Sequence, residues 1–255
     1  MKELIKSIFI ISFVGLIISS CDSSGQKKTI KSNKKLEWIV TKDGDSVLRK
    51  YRDDGSLLSY TTYVNRIKNG PAKKYYENGK IQFEINYKDG KKNGIVKWYY
   101  ENGKLYRESV YVNGKIDGIQ KKYYESGKLM AEIPYKKGRV MPGLKEYTKS
   151  GKLKKFYPKL RIKPIDRLAF EDKYIIRLSL SPKAKKPKFF QVLKLPGESY
   201  TYLKELTLKN GTGELVYTVY KGGYVMEKVT FRVETKTSLG NMYVIEKKYN
   251  VAIDH

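Results

Sequence analysis

The sequence is short of the residues that most catalytic and metal sites require. Cys21 is its only cysteine, so no internal disulfide can form and no cysteine-based metal site or nucleophile is available elsewhere in the chain. His255 is its only histidine, which excludes a histidine-based catalytic triad and a metal site built from several histidines. These absences remove the commonest forms of nucleophilic and metal-dependent catalysis.

Signatures of other enzyme classes are also missing. The glycines at Gly211 and Gly222 are not followed by the helix pattern that phosphate-binding and dinucleotide-binding loops need. A pair of carboxylates remains possible, and Glu84, Glu108 and Glu132 are the most regularly spaced acids. Side-chain alternation places them on a solvated face among lysines and arginines, where we expect ion pairs. We therefore predict no enzyme, no cofactor and no metal.

What the sequence does contain is an internal repeat with a step of 24 residues. Two columns hold a single residue type in all five units. The glycines are Gly55, Gly79, Gly103, Gly127 and Gly151, and the tyrosines are Tyr51, Tyr75, Tyr99, Tyr123 and Tyr147. Self-similarity at a fixed step is the signature of a repeat architecture. The tyrosines are either a recognition surface or cross-strand packing, and packing is the commoner role.

Each unit contains two turn signals between strand-prone segments, which predicts a hairpin. Asn78-Gly79 supplies the positive φ that a tight turn needs, and Asp89-Gly90 marks the second turn. A three-residue loop at 77–79 sets Tyr75 opposite Ile81, so the two most regular columns pair, and we predict this bulged turn. In the second strand, alternate residues from Ile81 share an apolar face.

The elements Tyr-Tyr-Glu-Asn-Gly-Lys-Leu and Tyr-x-x-Gly-Lys-x-x-Gly resemble the MORN-repeat variant of bacterial proteins, including the YwqK family of antitoxin-like proteins. The resemblance covers Thr41 to Tyr157 and implies a single-layer antiparallel β-meander. It also implies scaffolding or membrane contact, and it brings no catalytic residues. The outer units depart from the pattern, with Arg66 in place of a glycine and an extra residue near Pro142, as capping repeats do.

The beginning of the chain predicts export and lipid anchoring. Residues 1–20 have a basic start and a short apolar run, as in a secretory signal peptide. Ile18-Ser19-Ser20-Cys21 resembles the lipobox of bacterial lipoproteins, in which the cysteine is lipidated. We therefore expect a lipidated Cys21, a flexible tether over residues 21–40, and a protein held by its lipid at the cell membrane or outer membrane, facing the periplasm or the exterior.

Basic residues outnumber acidic ones, 53 to 26, and the net charge is +27. The densest basic patch contains Lys145, Lys149, Lys152, Lys154, Lys155, Lys159, Arg161 and Lys163. Anionic lipids or acidic polymers fit this charge and the predicted location. Nucleic acid fits the charge but not the location, and a solvated surface of biased composition explains it without any partner.

The step of 24 residues disappears after Tyr157, which predicts a second domain. Residues 158–164 are basic and contain prolines, so we expect a linker there. Residues 165–255 hold five strand-like runs separated by Gly, Pro and Asn, which predicts an immunoglobulin-like β-sandwich. We expect an all-β chain that binds a protein or an anionic polymer in the cell envelope. The alternative is a YwqK-like antitoxin or immunity protein that neutralises a toxin.

Overall fold

The computed structural model describes residues 28–33, 35–40, 45–182, 184, 186–194 and 201–255. The predicted signal peptide, Cys21 and the first residues of the predicted tether lie outside the described residues. No helix in the described part of the chain is long and apolar enough to cross a membrane. The chain is almost entirely β-structure, as predicted, and it forms one large sheet followed by a two-sheet sandwich.

The large sheet is a 14-stranded antiparallel meander, here called the repeat sheet. Eleven of its strands follow one another across the sheet, and β7, β10 and β14 are short strands beside that path. The strands are β1 (Lys28–Asn33), β2 (Leu36–Val40), β3 (Ser46–Tyr51), β4 (Leu57–Val64), β5 (Ile67–Tyr75), β6 (Ile81–Lys88), β7 (Lys91–Lys92), β8 (Gly94–Tyr99), β9 (Leu105–Val112), β10 (Lys115–Ile116), β11 (Gly118–Tyr123), β12 (Leu129–Lys136), β13 (Arg139–Val140) and β14 (Lys145–Glu146).

The hairpin turns have the predicted register. Tyr75 pairs with Ile81, and the ladder shifts by one residue next to this pair. The amide of Gly79 donates to the carbonyl of Tyr76, while the amide of Tyr76 donates to the carbonyl of Lys80, which closes a three-residue loop. Gly79 has φ +76 and open space around it, so its conformation, and not crowding, requires glycine. The three-residue bulged turn is therefore confirmed.

The repeat sheet begins earlier than the sequence predicts. A tether was expected up to residue 40, but β1 and β2 pair with each other and β2 pairs with β3. The tether prediction is wrong for these strands. Leu36, Trp38 and Val40 alternate with Glu37 and Ile39, and the hydroxyl of Tyr51 reaches back to Glu37 at 2.6 Å. The later units make the same tyrosine–glutamate contact at a separation of 15 residues, against 14 here, so β2 is a part of the repeat array.

The C-terminal domain is a sandwich of two four-stranded sheets. Its elements are β15 (Lys159–Arg167), α1 (Leu168–Glu171), β16 (Lys173–Ser181), β17 (Lys188–Leu193), β18 (Tyr202–Glu205), β19 (Thr207–Lys209), β20 (Thr212–Thr218), β21 (Tyr224–Lys236) and β22 (Met242–Asp254). One sheet has the order β15-β16-β20-β19 and the other β18-β17-β21-β22. Lettered A, B, C, C′, D, E, F and G in chain order, these are sheets A-B-E-D and C′-C-F-G, an immunoglobulin-like arrangement.

Strand β15 replaces the predicted linker at 158–164. All nine of its residues pair with β16. Leu160 is buried while Arg161 and Lys163 point outward and are exposed, so the strand has one apolar and one basic side. Pro164 is tolerated because β15 lies at the edge of its sheet, where one row of amides is left without partners. The sandwich therefore begins at Lys159 and not at residue 165.

The two domains pack differently. Phe189, Ile176, Leu178, Phe231 and Val233 are fully buried between the sheets of the sandwich. The repeat sheet has only one layer, and most of its fully buried side chains are small or lie where the sandwich covers its last strands. The apolar driving force for folding is thus concentrated in the sandwich.

The sandwich contacts the end of the repeat sheet around one buried carboxylate. Glu146 is fully buried and accepts hydrogen bonds from Lys154 Nζ at 2.9 Å, from Asn241 Nδ2 at 2.7 Å and from Thr237 Oγ1. The rings of Tyr157 and Tyr243 stack beside it, with centroids 4.9 Å apart. A buried carboxylate needs partners of this kind, and the sandwich supplies two of the three.

Candidate binding face of the repeat sheet

One face of the repeat sheet carries a row of alternating charges, which we call the charge ladder. Neighbours in this row pair directly across adjacent strands. From β2 to β14 the row contains Glu37, Arg49, Tyr60, Lys73, Glu84, Lys97, Glu108, Lys121, Glu132 and Lys145. Opposite charges across a strand pair are favourable, and here each acid lies between cations or beside one. This row, with five cations and four acids, is close to electrically balanced.

The tyrosine column belongs to the charge ladder. Tyr99, Tyr123 and Tyr147 donate hydrogen bonds to Glu84, Glu108 and Glu132 at 2.7, 2.8 and 3.0 Å. Burial and the bonded carboxylate raise the pKa of Tyr99 well above its usual value, and the same causes raise the pKa of Tyr123 to about 12. These hydroxyls are therefore hydrogen-bonded to carboxylates within the sheet.

Tyr75 is the exception in its column. The position that holds a glutamate in later units is Tyr60 here, and Tyr75 has no hydroxyl partner among the described residues. The pKa of Tyr75 is raised by burial first and by Tyr60 second. The chain therefore contains a natural comparison between a tyrosine with a carboxylate partner and one without.

A second set of tyrosines ties each unit to the next. Tyr76, Tyr100 and Tyr124 each donate, at 2.7 Å, to the backbone carbonyl of a first-column tyrosine one unit later. The first unit has Arg52 instead, and its guanidinium reaches the carbonyl of Tyr75. These bonds link successive hairpins outside the strand ladders.

The regular acids form the ion pairs expected from the sequence. Lys73 lies 2.7 Å from Glu84, and Lys121 lies 3.9 Å from Glu108. Burial alone would raise the pKa of Glu84, but hydrogen bonds from Lys73 and Tyr99 lower it below the usual value. Carboxylates held ionised among cations and tyrosines are parts of the sheet's own structure.

The opposite face, here called the open face, has a buried spine. Ala72, Ile85, Val96, Gln120 and Ile133 are buried along its middle, although only one layer of sheet lies beneath them. Gln120 donates to the equally buried Ser109 at 2.9 Å. The larger side chains on either side of the spine supply the cover. On one side these are tyrosines, with Lys68 and Lys92 each 5.3 Å from the centre of a tyrosine ring.

On the other side of the spine runs the row that we call the Arg107 row. Each residue pairs with the next across neighbouring strands, as in the charge ladder. The row contains Lys50, Ser59, Lys74, Phe83, Trp98, Arg107, Lys122, Ala131 and Glu146. Four of these residues are cations. The one acid is Glu146, whose carboxylate already accepts three hydrogen bonds at the junction with the sandwich.

Arg107 is the most informative residue of this row. Its guanidinium carbon lies 3.8 Å from the centre of the Trp98 ring, so the two groups form a cation–π stack. Its Nε is buried and has no hydrogen-bond partner among the described residues. Lys122, another cation, is directly opposite it. A stacked guanidinium keeps its donor fork pointed in a fixed direction, which suits a carboxylate or a phosphate.

The sandwich closes one end of the Arg107 row. Lys122 Nζ donates to Asn241 Oδ1 at 2.8 Å, and Asn241 in turn donates to Glu146. Burial first and Arg107 second lower the pKa of Lys122. The row is therefore open toward Phe83, Lys74 and Lys50, away from the sandwich.

The predicted basic patch is divided by the fold. Lys145 pairs with Glu132 at 3.9 Å, and Lys154 pairs with Glu146 inside the junction. Lys149, Lys152 and Lys155 lie in and after the last turn of the repeat sheet. Lys159, Arg161 and Lys163 are on the exposed side of β15. The patch is thus divided among four places in the fold.

Trp98 and Arg107 could not be found by looking for residues that recur every 24 positions. Trp98 stands where Lys50, Lys74 and Lys122 occur in other units, and Arg107 stands in the column of Phe83. Both positions break the repeat. The signal in the sequence was therefore irregularity at these two columns, in an array that is otherwise strongly periodic.

Comparison with family models gives a direct match for part of the repeat sheet. Residues 68–89, 92–113 and 116–137 match the MORN repeat variant. The chain contains three consecutive MORN repeats. The match supports the predicted meander, and such repeats indicate a repeat-based binding or scaffold role. It does not reach the sandwich.

Other comparisons add little to this. No curated protein matches the chain. Among solved structures, a mutant of S. aureus TarM in complex with fondaparinux, alpha-GlcNAc-glycerol and UDP matches with 13% identity and a TM-score of 0.24 over 36% of this chain. A second TarM structure has 14% identity and a TM-score of 0.24 over 35%. The aligned part spans 21% and 20% of those chains.

Proposed function

We propose that this protein is a lipid-anchored binding protein of the cell envelope, and that its repeat sheet contacts an anionic polymer through the Arg107 row. The MORN repeats support a binding or scaffold role. The composition of residues 1–21 supports export and anchoring. The Arg107 row supports an anionic partner.

The observation that carries the proposal is the contrast between the two faces. On the charge ladder, acids alternate with cations across the strands. On the Arg107 row, Lys50, Lys74 and Arg107 have no acid opposite them. Arg107 and Lys122 are like charges directly opposite each other, which costs stability, and an anionic ligand would supply the charges that the chain itself omits.

The shape of the row favours an extended ligand. The row crosses the strands in a line, and neighbouring strands are about 4.8 Å apart, so Lys50 to Lys122 spans roughly 30 Å. Phe83 and Trp98 lie between the cations Lys74 and Arg107. Ring surface flanked by cations suits a chain that carries acidic groups on sugar rings, such as an acidic polysaccharide.

Binding can be tested on the full-length protein with polygalacturonate as the probe. Arg107→Gln is expected to weaken binding about tenfold, the loss of roughly 1.4 kcal/mol expected for a charge-assisted contact. Lys97→Gln is the matched control because it removes one charge from the adjacent residue of the neighbouring strand, on the charge ladder. It is expected to leave binding within about twofold. Equal loss in both variants would mean that only net charge matters, and would overturn the proposal.

The anchor has a test of its own. Cells that express wild-type protein or Cys21→Ser are fractionated and then treated with protease while intact. We expect the wild type in the membrane fraction and the variant released or unprocessed. If both forms are soluble and inside the cell, anchoring is wrong, and toxin neutralisation of the YwqK kind becomes the better hypothesis. Copurification of a toxin with the cytoplasmic protein would then support it.

A further inference from the structure

The sandwich carries a second basic surface that is separate from the repeat sheet. On the outer side of its first sheet, Arg161 of β15 pairs with Ser179 of β16. The register that pairs Leu178 with Gly213 sets Ser179 beside Thr212, and Thr212 pairs with Lys209 of β19. The four strands thus present a line with a cation at each end and two hydroxyls between them, without an acid.

The adjacent line on the same surface contains one acid for two cations. Lys163 pairs with Arg177, and Arg177 pairs with Glu214. The Arg177 guanidinium binds Glu214 Oε1 through Nε and Nη2, both at 2.7 Å. Because Glu214 is held by Arg177, it does not compensate Arg161 one line away. Neither Arg161 nor Lys163 has an ion-pair partner among the described residues.

A cleft of about 550 Å³ opens at this end of the sheet. Arg161, Ser179 and Ser181 line it, together with Ala184 and Lys186, which precede β17. Leu180, Pro187 and Thr212 are also part of the lining. This volume lies within the range of small-molecule sites in proteins.

The charged side chains of the cleft are all cations, and its free hydroxyls can donate hydrogen bonds. Arg161 and Lys186 have no ion-pair partner among the described residues, and no carboxylate lines the cleft. The hydroxyls of Ser179 and Ser181 have no hydrogen-bond partner in the described part of the chain. Thr212 is different because its hydroxyl already donates to the carbonyl of Lys209 at 2.6 Å. Two cations and two hydroxyl donors therefore line one concave surface.

We propose that this cleft binds a phosphate group carried by a compact ligand. An arginine fork and a lysine ammonium together match the charge of a phosphate, and serine hydroxyls donate to the remaining oxygens. Leu180, Ala184 and Pro187 provide apolar surface that a small apolar part of the ligand can contact beside the phosphate. The site lies on the sandwich and does not depend on binding at the Arg107 row.

The test uses the full-length protein in neutral detergent micelles, with glycerol phosphate titrated and followed by calorimetry. We expect saturable binding that weakens at least tenfold in Arg161→Gln. Lys163→Gln is the matched control, since Lys163 lies two residues along the same strand on the same side but outside the cleft lining. It is expected to bind as the wild type does. Equal weakening in both variants overturns the proposal. So does a wild-type protein that binds neither glycerol phosphate nor the phospholipid used in the second arm.

A second arm distinguishes the source of the phosphate. Phosphatidylglycerol is added to the micelles in place of glycerol phosphate, and Lys186→Gln is tested beside Arg161→Gln. Loss of binding in both variants with the dissolved ester identifies a free phosphate compound as the ligand, and loss with the lipid alone identifies a headgroup. Because Arg161 and Lys186 are exposed, both variants should keep the wild-type thermal unfolding curve, which separates loss of binding from loss of fold.

Discussion

The repeat sheet and the sandwich are both antiparallel β-structure, but they are stabilised by different interactions. The sandwich buries Phe189 and Phe231 completely between two layers. The repeat sheet has one layer, and its order depends on tyrosine hydroxyls, paired charges and turn geometry repeated unit after unit. The comparison shows that a regular polar network can fix a register where no second layer is present to bury an apolar face.

Truncation of the sandwich core should have the largest effect. Phe231→Ala removes a fully buried ring and is expected to cost about 3–5 kcal/mol. Both tryptophans, Trp38 and Trp98, are in the repeat sheet, so their fluorescence follows that sheet while circular dichroism follows both domains. In the Phe231→Ala variant the sandwich should unfold at a much lower urea concentration than in the wild type. The midpoint of the tryptophan transition should shift less.

The exposed residue Phe170 provides the control for this prediction. Its side chain is 94% exposed, and Phe170→Ala is expected to change stability by no more than about 0.5 kcal/mol. If Phe231→Ala shifted the tryptophan transition as far as the circular dichroism transition, the two domains would not differ in the way described.

Loss of the junction carboxylate should come next. Glu146→Ala leaves Lys154, Asn241 and Thr237 without their buried acceptor, and it is expected to cost about 3 kcal/mol. Because these partners come from both domains, both unfolding transitions should shift. Glu132→Ala, in the neighbouring strand on the charge ladder, should shift the tryptophan transition alone. A purely local effect of Glu146→Ala would contradict its role at the junction.

A smaller effect is expected within the tyrosine column. Tyr99→Phe removes the bond to Glu84 and should cost about 1 kcal/mol in urea unfolding followed by tryptophan fluorescence. Tyr75→Phe removes a hydroxyl that has no partner in the described part of the chain, so we expect a change below about 0.5 kcal/mol. Similar costs at the two positions would show that the tyrosine–glutamate bonds do not stabilise the sheet.

The last effect appears only in alkaline solution. The folded pKa of Tyr123 is about 12, against about 10 in the unfolded chain. Because the folded value is higher, this contribution is fully present below pH 10 and is lost as the pH rises toward 12. The urea midpoint of unfolding, followed by tryptophan fluorescence, should fall over this pH interval. The midpoint of the Tyr123→Phe variant should fall less. An identical decline in both proteins would exclude Tyr123 as the cause.

The sequence was most informative where the repeat is regular. The step from Gly55 to Gly79 predicted the turns, the pairing of Tyr75 with Ile81 and the solvated glutamates, because identical units must solve the same local problem in the same way. In the sandwich, the strand-like runs separated by Gly, Pro and Asn predicted strands from local composition. These features depend on neighbours in the sequence.

The missed features depend on distant contacts. Strand β15 was taken for a linker because its lysines and Pro164 obscure the inward Leu160, and only the pairing with β16 shows the strand. The buried state of Glu146 depends on Asn241, far along the chain. Trp98 and Arg107 are single departures from the repeat, and their stacking follows from the register of β8 and β9.

The most direct test of the open face as the binding surface uses Trp98 as a reporter. In Trp38→Phe, Trp98 is the one remaining tryptophan of the sequence, and it lies against Arg107 in the middle of the row. When polygalacturonate is titrated into this full-length variant, we predict that Trp98 emission changes in parallel with binding and returns when salt is added. Saturable binding without any change in Trp98 emission would contradict the central claim.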